Sequence, residues 1–244
     1  MRLLVGFIFG FVGFFLVSVE IAKALVRLRK MLQPTVHVLV PQVLFSYLIS
    51  TVTRERRSPQ EVNRELFRLG VWGGSLAMLK LAKPEELARF WPKSFDAGKL
   101  GDHIKLFGSA AWYIFAGHMP AIRTEARAPK LVWVNLEESP GKDAFYKVET
   151  PEGVSVWYFL AGAYEGATLT SFRMLGEEER FLAMWRPLPG RNGLEGYYAL
   201  REVGSAEIAR ACVDADPEFF SVVSWEDSAR FAEELLGVKI PPIP

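Results

Sequence analysis

The residues of this chain that could do chemistry are few, and their spacing does not form a catalytic pattern. Ser75 lies in the segment GGSLA at 73–77, which resembles a degenerate nucleophile elbow. A working elbow requires a strand before the serine and a helix after it. Ser75 instead falls inside a predicted helix that begins near Ser58. The sequence therefore does not favour hydrolase chemistry.

Patterns for metal and nucleotide binding are also missing from the sequence. His103 and His118 are 15 residues apart, and neither has a histidine or cysteine at metal-ligand spacing. Asp214 and Asp216 form a lone D-x-D, and a single cysteine, Cys212, excludes an internal disulfide or a multi-cysteine site. No glycine-rich phosphate-binding motif occurs. We therefore expect no catalytic residue, no metal and no cofactor, and a protein that is not an enzyme.

Composition excludes two further classes of protein. Hydrophobic residues make up 50% of the 244 residues and charged residues 23%, so the chain can bury a core and is not expected to be disordered. Its 29 basic and 28 acidic residues give a net charge of +1. A protein that binds nucleic acid through bulk charge needs a clear basic excess, so we expect no nucleic-acid partner.

The N-terminal segment has the pattern of a membrane anchor. Leu3–Val19 is a run of 17 residues without a charge, about 26 Å long as a helix, and apolar residues continue to Leu32. We predict a retained transmembrane helix over residues 1–32, with a cleaved signal peptide or a buried soluble helix as the alternatives. The predicted anchor residues are large and apolar: Leu3, Leu4, Phe7, Phe9, Phe11, Phe14, Phe15 and Leu16.

The charges that flank this run predict its orientation. Four cations follow it, Lys23, Arg27, Arg29 and Lys30, whereas only Arg2 and the terminal amine precede it. The positive-inside rule then places the large C-terminal part in the cytoplasm, as a single-pass membrane protein. The four cations would either contact anionic lipid headgroups or only stop the helix from sliding.

Four helices are predicted in the first half of the remaining chain. After a linker at 33–41, residues 42–53 are apolar on several faces, which is typical of a helix buried on more than one side. The segment SPQE at 58–61 is a capping box with proline at the first helical position. Behind it, apolar residues recur in one helical stripe through 62–76. A short helix at 84–91 and one at 104–116, capped by Asp102, follow.

The period then changes to that of strands. Residues 131–137 and 143–149 predict a hairpin around the turn residues SPG, and 181–187 and 197–203 predict two more strands. Between the hairpins, residues 154–175 predict a helix in which Gly162 and Gly166 form a small-residue face that can lie close on strands. A last helix is predicted at 225–236, within a C-terminal helical extension at 204–244.

Four stretches carry a resemblance to the TRAPP family of vesicle-tethering subunits and to the related 4-vinyl-reductase-type small-molecule-binding domain. VNREL at 62–66, followed by Leu69-Gly70, resembles the second helix of that family. FAGHMP at 115–120 resembles the end of its fourth helix, and 131–150 matches its hairpin in length. YFLAGAYEGA at 158–167 resembles the G-x-x-x-G-A helix that both groups share. The resemblance covers about residues 43–203.

This resemblance implies an α+β domain over residues 42–203, with helices packed on one face of an antiparallel four-stranded sheet and the N-terminal transmembrane helix in front of it. Family members pair through their first helices, which would explain a helix that is apolar nearly all round. Some tethering subunits carry an acylated cysteine before the fourth helix, but 95–101 contains none. The residues expected in dimer or partner contacts are Val43, Leu44, Tyr47, Leu48, Val62, Leu66, Leu69 and Gly73.

Two hypotheses about function follow. The first is a membrane-anchored TRAPP-like scaffold or tethering subunit that acts through protein–protein contacts. Its expected partners are the membrane, through the N-terminal helix, and a second copy or a homologous subunit. The alternative is a sensor or regulatory domain that binds an apolar small molecule between the helices and the sheet.

Overall fold

The computed structural model describes residues 39–54, 58–116, 120–128, 130–138, 149–188, 191–200 and 202. The predicted anchor at 1–32 and the extension at 204–244 lie outside these residues. Within the described ranges, no helix is both long and apolar enough to cross a membrane.

The described residues form an α+β domain. Its helices are α1 (Leu39–Thr53), α2 (Pro59–Leu81), α3 (Pro84–Phe90), α4 (Ala97–Ala116) and α5 (Trp157–Leu175). Its strands are β1 (Ala121–Ala128), β2 (Leu131–Glu137), β3 (Phe181–Pro187) and β4 (Gly193–Leu200). The predicted class, helices on one face of a four-stranded antiparallel sheet, is confirmed.

Local capping residues fix where two helices begin. The amide of Glu61 donates to the Ser58 hydroxyl at 3.3 Å, and the amide of Ser58 donates to the Glu61 carboxylate at 2.9 Å, which completes the predicted capping box of α2. Helix α4 begins seven residues earlier than predicted, at Ala97. The carboxylate of Asp96 accepts the amide of Lys99 at 3.1 Å, so Asp96 rather than Asp102 supplies the capping contact.

The sheet has the order β1-β2-β4-β3, and all of its pairs are antiparallel. Strand β2 pairs with β1 along one edge and with β4 along the other. The predicted hairpin between 131–137 and 143–149 is therefore wrong, because both edges of β2 are already occupied. Residues 143–148 themselves lie outside the described residues. Strand β1, with the sequence AIRTEARA, was not predicted, since its alternation is between polar and small residues.

The described helices pack on one face of the sheet. Helix α4 approaches Ile122 and Leu136 at Gly108, where an added Cβ would lie 3.6–3.9 Å from their side chains. Helix α5 contacts β4 through Thr168, whose hydroxyl lies 2.9 Å from that of Tyr198. Because strand residues alternate between faces, Ile122, Leu136 and Tyr198 identify the side of the sheet that the helices cover.

Helices α2 and α5 are in backbone contact through four glycines. An added Cβ would lie 2.0 Å from the Phe67 carbonyl oxygen at Gly162, and 2.0 Å from the Val71 oxygen at Gly166. The reverse holds on α2, where Gly70 and Gly74 each face a carbonyl oxygen of α5 at 1.9 Å. The expectation that Gly162 and Gly166 lie against strands is therefore wrong: their partner is α2.

Candidate functional site

Helix α1 presents an exposed apolar surface, which we call the α1 face: Val43, Leu44 and Tyr47. Their side chains are 65%, 61% and 67% exposed. The opposite side of the helix is buried, and the Phe45 ring meets the Phe159 ring of α5 edge to face at 5.3 Å. Large apolar side chains at this exposure, side by side on one helix, are typical of a surface that binds another molecule.

The spacing of apolar residues explains why α1 has two apolar sides. Phe45 and Ile49 are four residues apart and face the core, with Leu48 half-buried beside them. Val43 and Tyr47 are also four apart and face outwards. A helix that packs only on the core of its own domain needs one stripe of apolar side chains. The second apolar stripe of α1 therefore requires another explanation.

The polar residues near the end of α1 are satisfied within the helix. The hydroxyls of Ser50 and Thr51 both donate to the carbonyl oxygen of Tyr47 at 2.8 Å, and that of Thr53 donates to the carbonyl oxygen of Ile49 at 2.8 Å. Hydroxyls that bond back to their own helix leave fewer groups that need water. This lowers the cost of covering α1 with an apolar partner.

The predicted partner residues on α2 have a different environment. Val62 and Leu66 are 1% and 0% exposed, because they lie in the core of the domain itself. Leu69 and Gly73 are half-buried. The residues of the predicted set that are available at the surface therefore lie mainly on α1.

Glu165 is the most unusual titratable group in the described residues. It lies on α5, is 8% exposed, and one oxygen of its carboxyl group accepts the backbone N–H of Trp185 at 3.0 Å. Burial raises the pKa of Glu165 from 4.5 to about 8, and the Trp185 hydrogen bond offsets only part of this. The carboxyl group is therefore mostly protonated at neutral pH.

Two tyrosines lie beside the Trp185 ring in the interface between helices and sheet, Tyr164 at 4.8 Å and Tyr198 at 6.0 Å between ring centroids. The Tyr164 hydroxyl donates to the Gly108 carbonyl oxygen at 2.8 Å, which ties α5 to α4. Burial raises the pKa of Tyr164 well above its usual value, and raises that of Tyr198 to about 12. Both hydroxyls stay neutral at physiological pH, so they act here as structural hydrogen-bonding groups.

His103 packs in an aromatic cluster. Its ring lies 4.4 Å from that of Phe107 and 5.0 Å from that of Trp91, and its Nδ1 lies 3.2 Å from the Phe90 carbonyl oxygen. Burial lowers the pKa of His103 to about 4. The imidazole is thus neutral at physiological pH. Within the described ranges, no group of three His, Cys, Asp or Glu side chains could hold a metal ion.

Ser75 lies in the middle of α2, as the capping box predicted, rather than on a strand-to-helix turn. Its hydroxyl is buried, and an added Cβ at Gly166 would lie 2.8 Å from it. This position is one of packing between α2 and α5.

A polar cluster on the sheet was not predicted from the sequence. The carboxylate of Glu195 accepts Trp133 Nε1–H at 2.9 Å and the Tyr197 hydroxyl at 3.0 Å, and it forms an ion pair with Arg186. Glu195 is 5% exposed. The signal that could have revealed it is the pairing of β2, β4 and β3, which brings residues 133, 186 and 195 together from three strands. The strand predicted from the sequence began only at Tyr197, so Glu195 lay outside it.

The predicted anchor residues and the predicted lipid-headgroup cations all lie before Leu39, outside the described residues. The cysteine Cys212 and the D-x-D at 214–216 also lie outside the described part of the chain.

The chain was compared with protein families, curated proteins and solved structures. No family model matches the chain, and no curated protein matches it. Among solved structures, the chain is similar to the crystal structure of a trafficking protein particle complex subunit 3 from Naegleria fowleri covalently bound to palmitic acid. The two are 16% identical with a TM-score of 0.42, and the similarity covers 67% of this chain and 96% of that one.

Proposed function

We propose that this chain is a non-enzymatic scaffold that assembles through the α1 face with a second copy of itself or with a homologous subunit. The single observation that supports this is the exposure of Val43, Leu44 and Tyr47 on a helix whose other side is already buried. Tyrosine is enriched among the residues that dominate binding energy at protein interfaces. The order of TRAPP-like motifs in the sequence adds vesicle tethering as the cellular role.

The membrane is the second partner in this proposal. Residues 1–32 would form a single transmembrane helix, with the α+β domain in the cytoplasm, on the side of Lys23, Arg27, Arg29 and Lys30. Only the short segment 33–38 separates the end of this helix from Leu39, the first residue of α1. An anchor so close to α1 would hold the α1 face near the membrane surface and raise its local concentration for pairing.

The pairing is tested on the full chain, extracted in mild detergent, by mass-resolved size exclusion. The wild type is expected to be a dimer, and the double variant Leu44→Asp/Tyr47→Asp a monomer. Loss of only two interface anchors at about 2 kcal/mol each would already weaken the dimer about a thousandfold, and in a homodimer the double variant changes both side chains in each protomer. Neither side chain serves the core, so the circular dichroism of the variant should stay that of the folded domain.

Phe90→Asp is the matched control for this experiment. Phe90 is also a large apolar side chain at the surface, 47% exposed, but it lies on α3. Its replacement is expected to leave the dimer intact. A monomeric wild type, or a double variant that keeps the dimer mass, would contradict the assignment of the α1 face.

The anchor is tested separately, by comparing the full chain with one that starts at Pro34. We expect the full chain to sediment with membranes until detergent is added, and the shorter chain to remain in the supernatant. If the full chain stays in the supernatant without detergent, the anchor proposal fails while the dimer proposal stands.

The alternative function, binding of an apolar small molecule between helices and sheet, is favoured by one observation. The indole Nε1 of Trp91 is buried and has no hydrogen-bond partner among the described residues. A buried donor without an acceptor costs about 1–3 kcal/mol, and a ligand oxygen would satisfy it. Native mass spectrometry of the full chain checks this: a bound mass that is lost in Trp91→Phe supports it, and a bare chain mass contradicts it.

A further inference from the structure

The side of the sheet opposite to the helices is buried along the two central strands, whereas Arg123 and Glu125 on the edge strand β1 are exposed. We call this side the outer face, and its deepest positions lie on the two central strands. Leu131 and Ala199 are 0% exposed, and Tyr197 is 1% exposed. The residues of β2 and β4 on this face are Leu131, Trp133, Asn135, Glu137, Gly193, Glu195, Tyr197 and Ala199.

The described helices lie on the other side. Helix α4 contacts Ile122 and Leu136, and helix α5 contacts Tyr198. In the register of the sheet, these residues alternate with those of the outer face. A tyrosine at the centre of an uncovered sheet keeps part of its ring in water, so a Tyr197 that is 1% exposed needs a cover that α4 and α5 do not provide.

The polar cluster on this face is also arranged for a covered environment. Glu195 and Arg186 are 7% and 11% exposed at their side chains, and Trp133 and Tyr197 supply two more hydrogen bonds to the same carboxylate. A buried ion pair is tolerated when its remaining hydrogen-bonding capacity is used in this way. An open face would hydrate the carboxylate instead and would not require three protein donors.

The path of the chain indicates what covers the face. Glu202 forms an ion pair with Lys130, and the amide of Leu200 donates to the Lys130 carbonyl oxygen at 3.2 Å. The chain therefore leaves β4 beside Leu131 and Ala199, the most deeply buried end of the outer face. The 42 residues at 203–244 follow from this point.

The sequence of this segment is suited to the face. Its predicted helix at 225–236 would be about 18 Å long and would fit within the roughly 23–26 Å of strands with seven or eight residues. Trp225, Ala229 and Ala232 share one side of that helix. The segment carries eight acidic and three basic residues. On the outer face, β1 carries Arg123, Glu125 and Arg127. Arg127 lies 4.0 Å above the Trp133 ring and 3.8 Å from the Glu125 carboxylate, so charge attraction to the acidic segment rests on Arg123.

We propose that residues 203–244 fold back over the outer face of the sheet and cover the cluster of Glu195, Arg186, Trp133 and Tyr197. This surface is distinct from the α1 face. The domain would then be a three-layer unit, with α4 and α5 on one side of the sheet and the C-terminal segment on the other.

The first test is cross-linking in the full chain, in mild detergent. A benzophenone maleimide is attached to Cys212, the single cysteine, and the irradiated protein is mapped by peptide mass spectrometry. We expect cross-links within one molecule to peptides from 121–137 or 193–200. Cross-links confined to α1–α5, or formed only between molecules, would overturn the proposal. Arg64→Cys in a Cys212→Ser background is the control, since Arg64 is exposed on α2 and lies outside the α1 face, and its label should not reach the outer face.

The second test is hydroxyl-radical oxidation, which needs no label. In the wild type, Tyr197 should react much more slowly than Phe90, which lies outside the α1 face and is 47% exposed. The double variant Trp225→Asp/Leu236→Asp, which changes two large apolar residues on that side of the helix, should raise the oxidation of Tyr197 several-fold. Tyr164, buried between α4 and α5, should stay unchanged and so confirms that the domain is folded. A Tyr197 that stays protected in this variant would assign the cover to another part of the chain or to a second copy.

Discussion

Replacement of Gly162 by alanine is expected to destabilise the domain by about 3 kcal/mol or more. The new Cβ would lie 2.0 Å from the Phe67 carbonyl oxygen and 2.9 Å from the Val71 amide nitrogen. These are helix backbone atoms, so no side chain can rotate away to make room. Relief requires α2 and α5 to separate, which would weaken the neighbouring contact at Gly166 at the same time. Urea unfolding of the full chain in mild detergent, followed by helical circular dichroism, measures the loss.

Gly73→Ala is the matched control for this prediction. Gly73 lies on α2 between Gly70 and Gly74, but an added Cβ there would meet only the Phe159 ring at 3.8 Å, an ordinary contact. Alanine is favoured over glycine inside a helix by about 0.5–1 kcal/mol, so this variant should be slightly more stable than the wild type. Equal stability losses in Gly162→Ala and Gly73→Ala would contradict the backbone contact between α2 and α5.

Glu165→Gln is expected to remove a large pH dependence of stability. The folded state holds the Glu165 proton up to a pKa of about 8, whereas the unfolded chain releases it above 4.5. The contribution of protonated Glu165 to the free energy of unfolding is therefore complete below pH 4.5. It is lost as the pH rises to about 8, at about 1.4 kcal/mol per pH unit. Glutamine cannot ionise and still offers an oxygen to the Trp185 N–H. Urea unfolding across this pH range should show that the variant is several kcal/mol more stable than the wild type near pH 8.

The effect of Glu165 is given by the difference in the free energy of unfolding between the wild type and Glu165→Gln at each pH. Burial lowers the pKa of His103 to about 4, so its contribution rises as the pH increases from 4 to 6.5, opposite in sign to that of Glu165. Since His103 is present in both proteins, its effect cancels in the difference. Glu152→Gln, at an exposed position, should follow the wild-type curve. Parallel curves for wild type and Glu165→Gln would mean that the buried carboxyl does not retain its proton.

Features with local causes were predictable from the sequence. The capping box of Ser58 and Glu61 involves residues three apart, and the start of α2 is confirmed. Strand β3 was predicted with its observed bounds, Phe181–Pro187, because turn residues flank a run of large apolar residues. The spacing of Gly162 and Gly166 on α5 also predicted correctly that another element approaches the helix closely at these two residues.

Features that depend on the choice of partner were not predictable. The spacing of Gly162 and Gly166 indicates that something approaches closely, but not that it is α2 rather than a strand. Strand β2 has apolar residues on both of its faces, so its sequence does not indicate which strands pair with it. One of its neighbours, β1, was missed because its pattern is weak. Glu195 gains its three donors from the register of three strands, which a single-chain pattern does not encode.

The same partial success applies to the α1 face. The sequence predicted that α1 is apolar on more than one side, and the structure places Val43, Leu44 and Tyr47 at the surface. It did not separate these from Val62 and Leu66, which have the same residue types at helical spacing but lie in the core. Burial of an amphipathic stripe is decided by the tertiary partner, and α2 has such a partner in α5.

The contact between α2 and α5 has a consequence for synthesis on the ribosome. Asn63, in the first turns of α2, accepts the amide of Ser155, 92 residues later in the chain, and the glycine contacts with α5 follow directly after. At roughly 5–20 residues per second, α2 must wait roughly 5–20 s for its partner to be translated. During that interval the side of α2 that carries Phe67 and Val71 is without its cover. The nascent chain thus passes through a stage at which a chaperone that recognises apolar helices would have its binding site, and that site closes once α5 has docked.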